Sequence, residues 1–314
     1  MSRAIDPPAG TRMAAEGHAP AVTRAFVGRP TRSPREAATW DVRRELATNL
    51  RGVLGRAYPR VRGLSREKSW LLFEILLPFL TTSAFVFVYR SIGAPPAYVG
   101  FAVLGGAMTA FWLNVMWMMA AQLYWERDQG NLELYFTSPV SMMSILLGMA
   151  LGGMVMSSVR AAVVLAIGTV VYDVRYAVSD WLLLGAVFSL TLAALYGLGM
   201  VLASLFLLWG REAWHLSQAA IEPVYFVSGL NFPVGRLGLL GAVAISTIPL
   251  AVGLDALRQL TFRGAPGLGG TPSPEIEALI LVAMTAVFVG LARAMLGAIE
   301  RIARREGRLT TKGS

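Results

Sequence analysis

Long apolar runs without charged residues alternate with short polar segments along most of the chain. A bilayer core of about 30 Å requires about 20 helical residues at about 1.5 Å each, and several of the runs reach that length. The pattern therefore predicts an all-α integral membrane protein with six transmembrane helices. The predicted spans are Ser69–Tyr89, Tyr98–Leu123, Met142–Tyr172, Trp181–Trp209, Ala213–Leu230 and Ile276–Leu296.

A seventh apolar run, from Leu237 to Leu254, is also long enough to cross a membrane. Three glycines and Pro249 interrupt it, and Pro249 removes a backbone donor that lipid cannot replace. Seven crossings would also place the two basic ends of the chain on opposite sides of the membrane. The predicted structure is a pair of short re-entrant helices on the extracellular face, hinged near Pro249 and preceding the last span.

Basic residues cluster before the first span and after the last one. The chain has 28 Lys and Arg against 19 Asp and Glu, a net charge of +9. The positive-inside tendency places both termini in the cytoplasm and requires an even number of crossings. Because the charge lies beside membrane spans, topology and anionic lipid account for it, and no nucleic-acid partner is expected.

The polar region before the first span has two parts. Its first part is rich in Pro, Ala, Gly and Arg, which favours disorder. In its second part Trp40, Leu46, Leu50 and Leu54 recur at helical spacing, which predicts an amphipathic helix in the headgroup layer, with a solvent-exposed helix as the alternative. The predicted organisation is a disordered cytoplasmic tail (1–38), the interfacial helix (39–68), a six-span domain (69–300) and a basic cytoplasmic tail (301–314).

Residue types that carry catalysis or bind metals are scarce. The chain has no cysteine and two histidines, His18 and His215, which disfavours disulfides, a metal site and a Ser/His/Asp triad. Neither Lys68 nor Lys312 follows a glycine in a phosphate-binding loop. We therefore expect no catalytic residue, metal or cofactor in this chain, and we expect any ATP to be handled by another polypeptide.

A polar segment, ERDQGNLELYFTSPVS, separates the second and third predicted spans. It combines charged residues, apolar anchors and a glycine suited to a sharp turn, as in a short helix that docks on a soluble partner. Ser138 is predicted to cap the third span, with Pro139 at its first helical position. A solvated loop is the alternative. The candidate docking residues are Glu126, Arg127, Asp128, Gly130, Leu132, Glu133, Leu134 and Phe136.

Over residues 39–300 the order of segments resembles the permease subunit of type-2 ABC exporters, which include daunorubicin-like drug exporters and O-antigen or teichoic-acid exporters. Two motifs carry the resemblance. The first has the form E-R-(E/D)-x-G-(T/N)-L-E-x-L-x-x-(S/T)-P-(V/L), with Asn131 where threonine is commoner. The second has the form SG-x-x-(F/Y)-P-(V/L) and comprises Ser228, Gly229, Phe232, Pro233 and Val234.

The resemblance implies that residues 126–137 include a cytoplasmic coupling helix, which receives ATP-driven movement from a nucleotide-binding subunit. The implied partners are two copies of a cytoplasmic ABC ATPase, which bind ATP and Mg, and a second permease half, expected to be another copy of this chain. The implied location is the bacterial inner membrane, in contact with lipids. The chain itself would be no enzyme, and the second motif would open the re-entrant helix pair.

Three charged residues lie inside predicted spans: Glu74, Arg160 and Glu222. A charge at the bilayer centre costs about 2.5–3.5 kcal/mol on insertion scales, so each side chain should face protein or water. Counting residues from the cytoplasmic ends places Arg160 about 10 Å farther out than Glu222, which argues against a pair between them. Charge neutralisation between neighbouring helices, or a water-lined path, is favoured over a proton relay.

Methionines and aromatic residues are concentrated in the second predicted span. They could form a tolerant surface for amphipathic substrates, although ordinary helix packing is the competing interpretation. With the intramembrane charges, they define the candidate substrate path as Met108, Trp112, Asn114, Arg160 and Glu222.

The expected cargo is a hydrophobic or amphipathic drug or lipid, moved out of the cytoplasm or the inner leaflet. A lipid-linked polysaccharide is the alternative within the resembling family. An ion-coupled secondary transporter is the alternative from another class. That class would require internal repeats and several buried acids, and the sequence displays neither.

Overall fold

The computed structural model describes residues 34–64, 68–209, 211–238, 241, 243, 247–262, 264 and 271–306. Within these ranges the structure is helical, apart from one isolated bridge between Ala177 and Phe262. The chain divides into two units, Met1–Arg44 and Glu45–Ser314, and the packing described below belongs to the second. Most of the two predicted tails, residues 1–33 and 307–314, lies outside the described residues.

The helices follow one another with short connections. They are α1 (Pro34–Leu64), α2 (Lys68–Ser91), α3 (Pro96–Leu113), a π-helical segment (Asn114–Met119), α4 (Gln122–Asp128), α5 (Leu132–Thr137), α6 (Met142–Tyr172), α7 (Trp181–Trp209), α8 (Arg211–Val227), a 3-10 turn (Val234–Leu237), α9 (Pro249–Thr261) and α10 (Pro274–Glu306).

Five of the six predicted spans correspond to helices that are long and apolar enough to cross a bilayer, among the residues described. The sixth prediction, Ala213–Leu230, corresponds to α8, which has only 17 residues and contains Pro223. Seventeen helical residues extend about 26 Å, less than the hydrocarbon thickness of about 30 Å. The crossing by α8 therefore stays a prediction. The five matching stretches are Leu71–Ser91, Pro96–Asp128, Met142–Tyr172, Trp181–Trp209 and Pro274–Arg301.

The second and fourth spans form the centre of the bundle. In their most apolar stretches, 94% of the residues of Pro96–Asp128 and 72% of those of Trp181–Trp209 are buried, against 22% in Leu71–Ser91. α7 packs against α10, α9, α8 and α4, while α3 packs against α2 and α6. The peripheral helices therefore present most of their apolar surface outward, as expected for helices that contact lipid.

Two glycines allow α1 to lie directly against α6. The carbonyl oxygens of Val53 and Ala57 occupy the space that a Cβ would need at Gly148 and Gly152, respectively. Small residues four positions apart permit this close approach of two helix backbones. An adjacent face of α1 exposes an apolar stripe at every fourth position, which suits insertion into the headgroup layer. The stripe consists of Leu46, Leu50, Leu54 and Tyr58.

The second motif forms a turn at the far end of the bundle from α4 and α5. Gly229 has φ 64°, a left-handed conformation that favours glycine. A Cβ atom at Gly105 of α3 would overlap the carbonyl oxygen of Leu230. Because glycine has no side chain, the turn can pack directly against α3. The apolar run from Leu237 to Leu254 is not one continuous helix. The 3-10 turn ends at Leu237, the backbone of Ile248 is extended, and α9 begins at Pro249.

Arg258 of α9 holds this turn in place, and sequence reasoning did not identify it. Its side chain is fully buried. Nη1 donates to the carbonyl oxygens of Gly229 (2.7 Å) and Phe232 (2.9 Å). Nη2 donates to those of Leu230 (2.8 Å) and Phe101 (3.0 Å). One guanidinium thus satisfies four backbone carbonyl acceptors.

We expect Arg258→Met to destabilise the protein strongly. The change keeps an unbranched apolar side chain but leaves four carbonyls without their donor, and each hydrogen bond to a charged group contributes about 1.5–3 kcal/mol. The measurements are the yield of monodisperse protein in detergent and its melting temperature. Arg175→Met is the matched control, because the Arg175 side chain is 89% exposed. Equal melting temperatures for the two variants would contradict this role.

Candidate coupling site

α4 and α5 form a helical hairpin at the end of the second span. α4 ends at Asp128, and Gly130 turns the chain with φ 78°, the left-handed conformation that favours glycine. The backbone amide of Asn131 donates to the carbonyl oxygen of Glu126 (2.9 Å) and closes the turn. The position of the turn agrees with the prediction from the first motif.

The carboxylate of Glu126 faces the protein interior, and its residue is only 5% exposed. It forms an ion pair with the guanidinium of Arg56 on α1. It also accepts hydrogen bonds from Gln122 Nε2 (2.9 Å) and Asn131 Nδ2 (2.9 Å). The first acid of the motif is therefore bound by this chain and does not present its charge to a partner.

α1 contacts the hairpin through two more groups. Arg60 Nη1 donates to Gln122 Oε1 (2.7 Å), and the Arg56 guanidinium lies 5.3 Å from the centre of the Tyr135 ring. Burial lowers the pKa of Arg60 to about 10, so this side chain remains charged at neutral pH. Arg56 and Arg60, one helical turn apart, therefore link α1 to both helices of the hairpin.

The second motif residue, Arg127, ties the hairpin to α7. Its Nη1 donates to the carbonyl oxygen of Leu207 (3.0 Å), and its guanidinium lies 5.3 Å from the centre of the Tyr124 ring. Leu132 is 1% exposed and belongs to the main apolar core. The charge of Arg127 and the apolar side chain of Leu132 made both residues candidates for docking on a partner. In the structure, both side chains instead contact other residues of this chain.

Other motif residues remain accessible. Asp128 and Gly130 are exposed, and the Leu134 side chain is 66% exposed. The side chains of Glu133 and Phe136 lie outside the described part of the chain. Gln129 and Thr137 are exposed as well, so Asp128 is the one acid and Leu134 the one large apolar residue on the exposed surface of the described hairpin.

The predicted cap of the third span is wrong by three residues. α6 begins at Met142, and its N-cap is Ser141, whose Oγ accepts from the Ser144 amide at 3.2 Å. Ser138 is extended instead and accepts from the amide of Val140 (3.2 Å). Contacts with α1 explain why the helix begins later than predicted. The Ser141 amide donates to Asn49 Oδ1 (2.9 Å), and the Val140 side chain fills the space beside Gly52.

The intramembrane charge Arg160 is paired. Its Nη2 lies 2.6 Å from Glu74 Oε2, and the two side chains are 3% and 16% exposed. The expectation of neutralisation between neighbouring helices therefore agrees with the structure, with α2 supplying the acid to α6. Glu222 is exposed on α8, and no ion pair joins it to Arg160 among the described residues.

Asn114 begins the π-helical segment of the second span, which sequence reasoning did not predict. It is buried, and its Oδ1 accepts from the Tyr196 hydroxyl on α7 (3.0 Å). A cavity of about 20 Å³ lies between Asn114, Trp117, Glu74 and Arg160. A cavity this small holds about one water molecule, so in this conformation these candidate path residues form a packed polar cluster.

Met108 and Trp112 are both 2% exposed and both lie in the apolar core. Of the two, only Met108 also lines the apolar cleft of about 560 Å³ between α3, α6 and α7. The cleft is large enough for a drug-sized or acyl group. Its lining includes Met108, Phe111, Ala161, Tyr176, Trp181 and Phe188.

One comparison with known proteins yields a family. A family model described as ABC-2 type transporter matches residues 60–262, from the end of α1 through α9. The matched region contains the hairpin, the polar cluster and the second motif. No curated protein matches the chain.

We expect Arg160→Met to reduce the amount of folded protein, because it removes the cation that pairs with the largely buried Glu74 carboxylate. Removal of one member of a buried pair costs about 3–5 kcal/mol, whereas replacement of both is often neutral. Adding Glu74→Gln to Arg160→Met should therefore restore much of the lost stability. The measurement is a double-mutant cycle of melting temperatures in detergent.

The control for this cycle is Arg175→Met, whose loose pair with Asp173 (3.7 Å) is exposed. Additive effects of the Glu74 and Arg160 changes would show that the two side chains do not depend on each other.

Proposed function

The chain belongs to the ABC-2 type transporter family as a membrane subunit, and we propose that it is the permease half of an ATP-driven exporter of hydrophobic or amphipathic molecules. It is a multi-pass membrane protein with five candidate spans among the described residues. ABC-2 permeases generally pair with an ABC ATPase subunit, and the membrane domain of this family lacks the nucleotide-binding domain. The ATPase, with its ATP and Mg, is therefore proposed to be a separate chain present in two copies.

The observation that carries this proposal is the attachment of the α4–α5 hairpin to three other helices. The Arg56–Glu126 pair joins it to α1, and the hydrogen bond from Arg127 to Leu207 joins it to α7. The short link to α6 is held against α1 by Asn49. A displacement of the hairpin by ATPase closure would thus move several helices together, as alternating access requires.

Leu134 and Asp128 are the groups proposed to contact the ATPase. Leu134 provides an exposed apolar anchor, and Asp128 provides a charge at the turn. The inward-facing motif residues Glu126, Arg127 and Leu132 are proposed to act indirectly, by fixing the position and angle of the hairpin. Interfaces commonly depend on a few such anchors.

A second copy of the chain is the proposed other permease half. α8 exposes Glu222, with Pro223 and Phe226, on the surface of this single chain. A carboxylate on a membrane helix cannot face lipid cheaply, so this surface requires cover from protein or access to water. A dimer that forms along α8 would either cover Glu222 with protein or enclose it in a water-filled space. Glu222 would then lie beside the transport path between the two copies.

The apolar cleft beside Met108 supports a hydrophobic or amphipathic cargo. Its lining is dominated by apolar and aromatic side chains, with few hydroxyl groups. A glycan would require many more hydrogen-bonding groups along its path. The test is reconstitution in proteoliposomes with the cognate ABC ATPase. Amphipathic dyes or fluorescent lipids should be moved only when both chains and ATP are present, and equal movement without the ATPase would overturn the proposal.

The proposed docking role of the hairpin can be tested at Leu134. Leu134→Ala should weaken docking of the ATPase about thirtyfold, because loss of an interface anchor commonly costs about 2 kcal/mol. Transport should fall while folding is unchanged. Because the chain lacks cysteine, Leu134→Cys should also cross-link to a cysteine-bearing ATPase in membranes.

Leu182→Ala is the matched control for transport, since Leu182 is 85% exposed at the start of α7. Arg175→Cys, in the same region, is the control for cross-linking. Normal copurification and transport by Leu134→Ala would leave the hairpin without a role in docking.

The second prediction concerns topology, in which both termini are proposed to be cytoplasmic and residues 231–262 to re-enter without crossing. Exposed residues permit single-cysteine labelling with an impermeant thiol reagent. Gly235→Cys, Ser273→Cys and Arg175→Cys should react from outside the cell, whereas Asp128→Cys should react only after the membrane is opened. Labelling of Ser273→Cys only from the cytoplasm would overturn this topology.

A further inference from the structure

Two carboxyl groups meet where α9 packs against the first turn of α10. Asp255 of α9 and Glu277 of α10 are each 0% exposed. Both carboxyl groups lie against the same side-chain amide nitrogen. Gln259, one turn after Asp255, places its Nε2 2.9 Å from Asp255 Oδ2 and 3.2 Å from Glu277 Oε2. The transport mechanism proposed above makes no use of this pair.

The hydrogen-bond donors at this site are too few for two ionised carboxylates. Gln259 Nε2 also lies 3.2 Å from Thr271 Oγ1 and 2.9 Å from the carbonyl oxygen of Pro272. An amide nitrogen carries two hydrogens, so it cannot serve four oxygens. The remaining carboxyl oxygens, Asp255 Oδ1 and Glu277 Oε1, are buried and have no hydrogen-bond donor among the described residues.

Among the described residues, the surrounding charges cannot neutralise both carboxylates. Arg258 on α9 interacts electrostatically with Asp255, but it carries a single positive charge, and its Nη1 and Nη2 groups donate to four backbone carbonyls. α7 and α3, which pack against α9, contain no charged residue. Beyond the pair, the nearby exposed groups Glu275 and Asp180 are also acidic. Two facing carboxylates in such surroundings repel each other unless a positive charge lies between them.

We propose that Asp255 and Glu277 form a proton-binding site, in which one proton is shared between the two carboxyl groups and joins α9 to α10. With the proton bound, one carboxyl donates an O–H···O hydrogen bond to the other. When the proton leaves for solvent, two negative charges face each other and the contact between the helices weakens. Because Arg258 on the same helix holds the turn at residues 229–232, release of α9 would also loosen that turn.

The site has a functional consequence only under the proposed topology, in which this end of the bundle faces outward. External pH would then control how firmly the re-entrant region is held. The physical claim itself concerns the isolated chain and requires neither the ATPase nor a cargo. Its tests can therefore fail or succeed independently of the proposed transport function.

The first test is the melting temperature of the purified chain in detergent between about pH 6 and about pH 9. An ordinary carboxyl in the unfolded chain is ionised over this range, so the folded pair takes up one proton. The wild-type protein should therefore melt at lower temperature as the pH rises, with the unfolding equilibrium constant growing by about tenfold per pH unit. Glu277→Gln imitates the protonated carboxyl and should reduce this slope and melt at or above the wild-type temperature at high pH.

Glu275→Gln is the matched control, because it removes an exposed acid two residues away and should retain the wild-type slope. Asp255→Asn is the second variant and should resemble Glu277→Gln, since either amide removes the need for the proton. The second test is the infrared C=O band of a protonated carboxyl, which should be present in the wild type near neutral pH and absent from both variants.

Several results would overturn the proposal. The infrared band could be absent from the wild type, or Glu277→Gln and Asp255→Asn could melt lower than the wild type with an unchanged pH slope. Stabilisation of the wild type, but not of Glu277→Gln, by millimolar CaCl₂ or by NaCl would show that a metal ion occupies the pair instead. If neither variant folds, the infrared titration of the wild type decides the question.

Discussion

The absence of water from the bilayer core is the constraint on which the arrangement of this protein depends. A polar group buried within the bundle is costly unless it finds a partner in the chain. Arg160 is paired with Glu74, Asn114 accepts from Tyr196, and Arg258 satisfies four backbone carbonyls that the turn of the second motif leaves open. These contacts join helices that are distant in sequence, so they determine which helices are neighbours where apolar packing alone would permit several arrangements.

The same logic explains why much of the first motif faces inward. The proposed transmission of movement requires a hairpin that is attached firmly to its neighbouring helices, and Glu126 and Arg127 provide such an attachment to α1 and α7. Glycines at 148 and 152 then bring α1 against α6 at backbone contact. Glu126 and Arg127 thus hold the hairpin against the rest of the chain, while Leu134 and Asp128 are exposed and are proposed to contact the ATPase.

Much of the fold could be predicted, because long apolar runs have few alternatives to membrane helices. Five predicted spans, the glycine turn of the hairpin and the family follow from local composition and two motifs. The cap at Ser138 was wrong because contacts between α1 and residues 140–141 hold the start of the third span extended. The π-helical segment was missed because its hydrogen-bond shift leaves no distinctive local pattern in an apolar helix.

The sequence by itself determined the class of protein, most of the spans and the position of the hairpin, since these depend on apolar length, charge and turn residues that are close together in the chain. Only the tertiary structure decided which charged groups meet. Arg56 and Glu126, Glu74 and Arg160, and Asp255 and Glu277 are far apart in sequence. Their pairing depends on how helices pack in three dimensions, and nothing in the local pattern of residues specifies it.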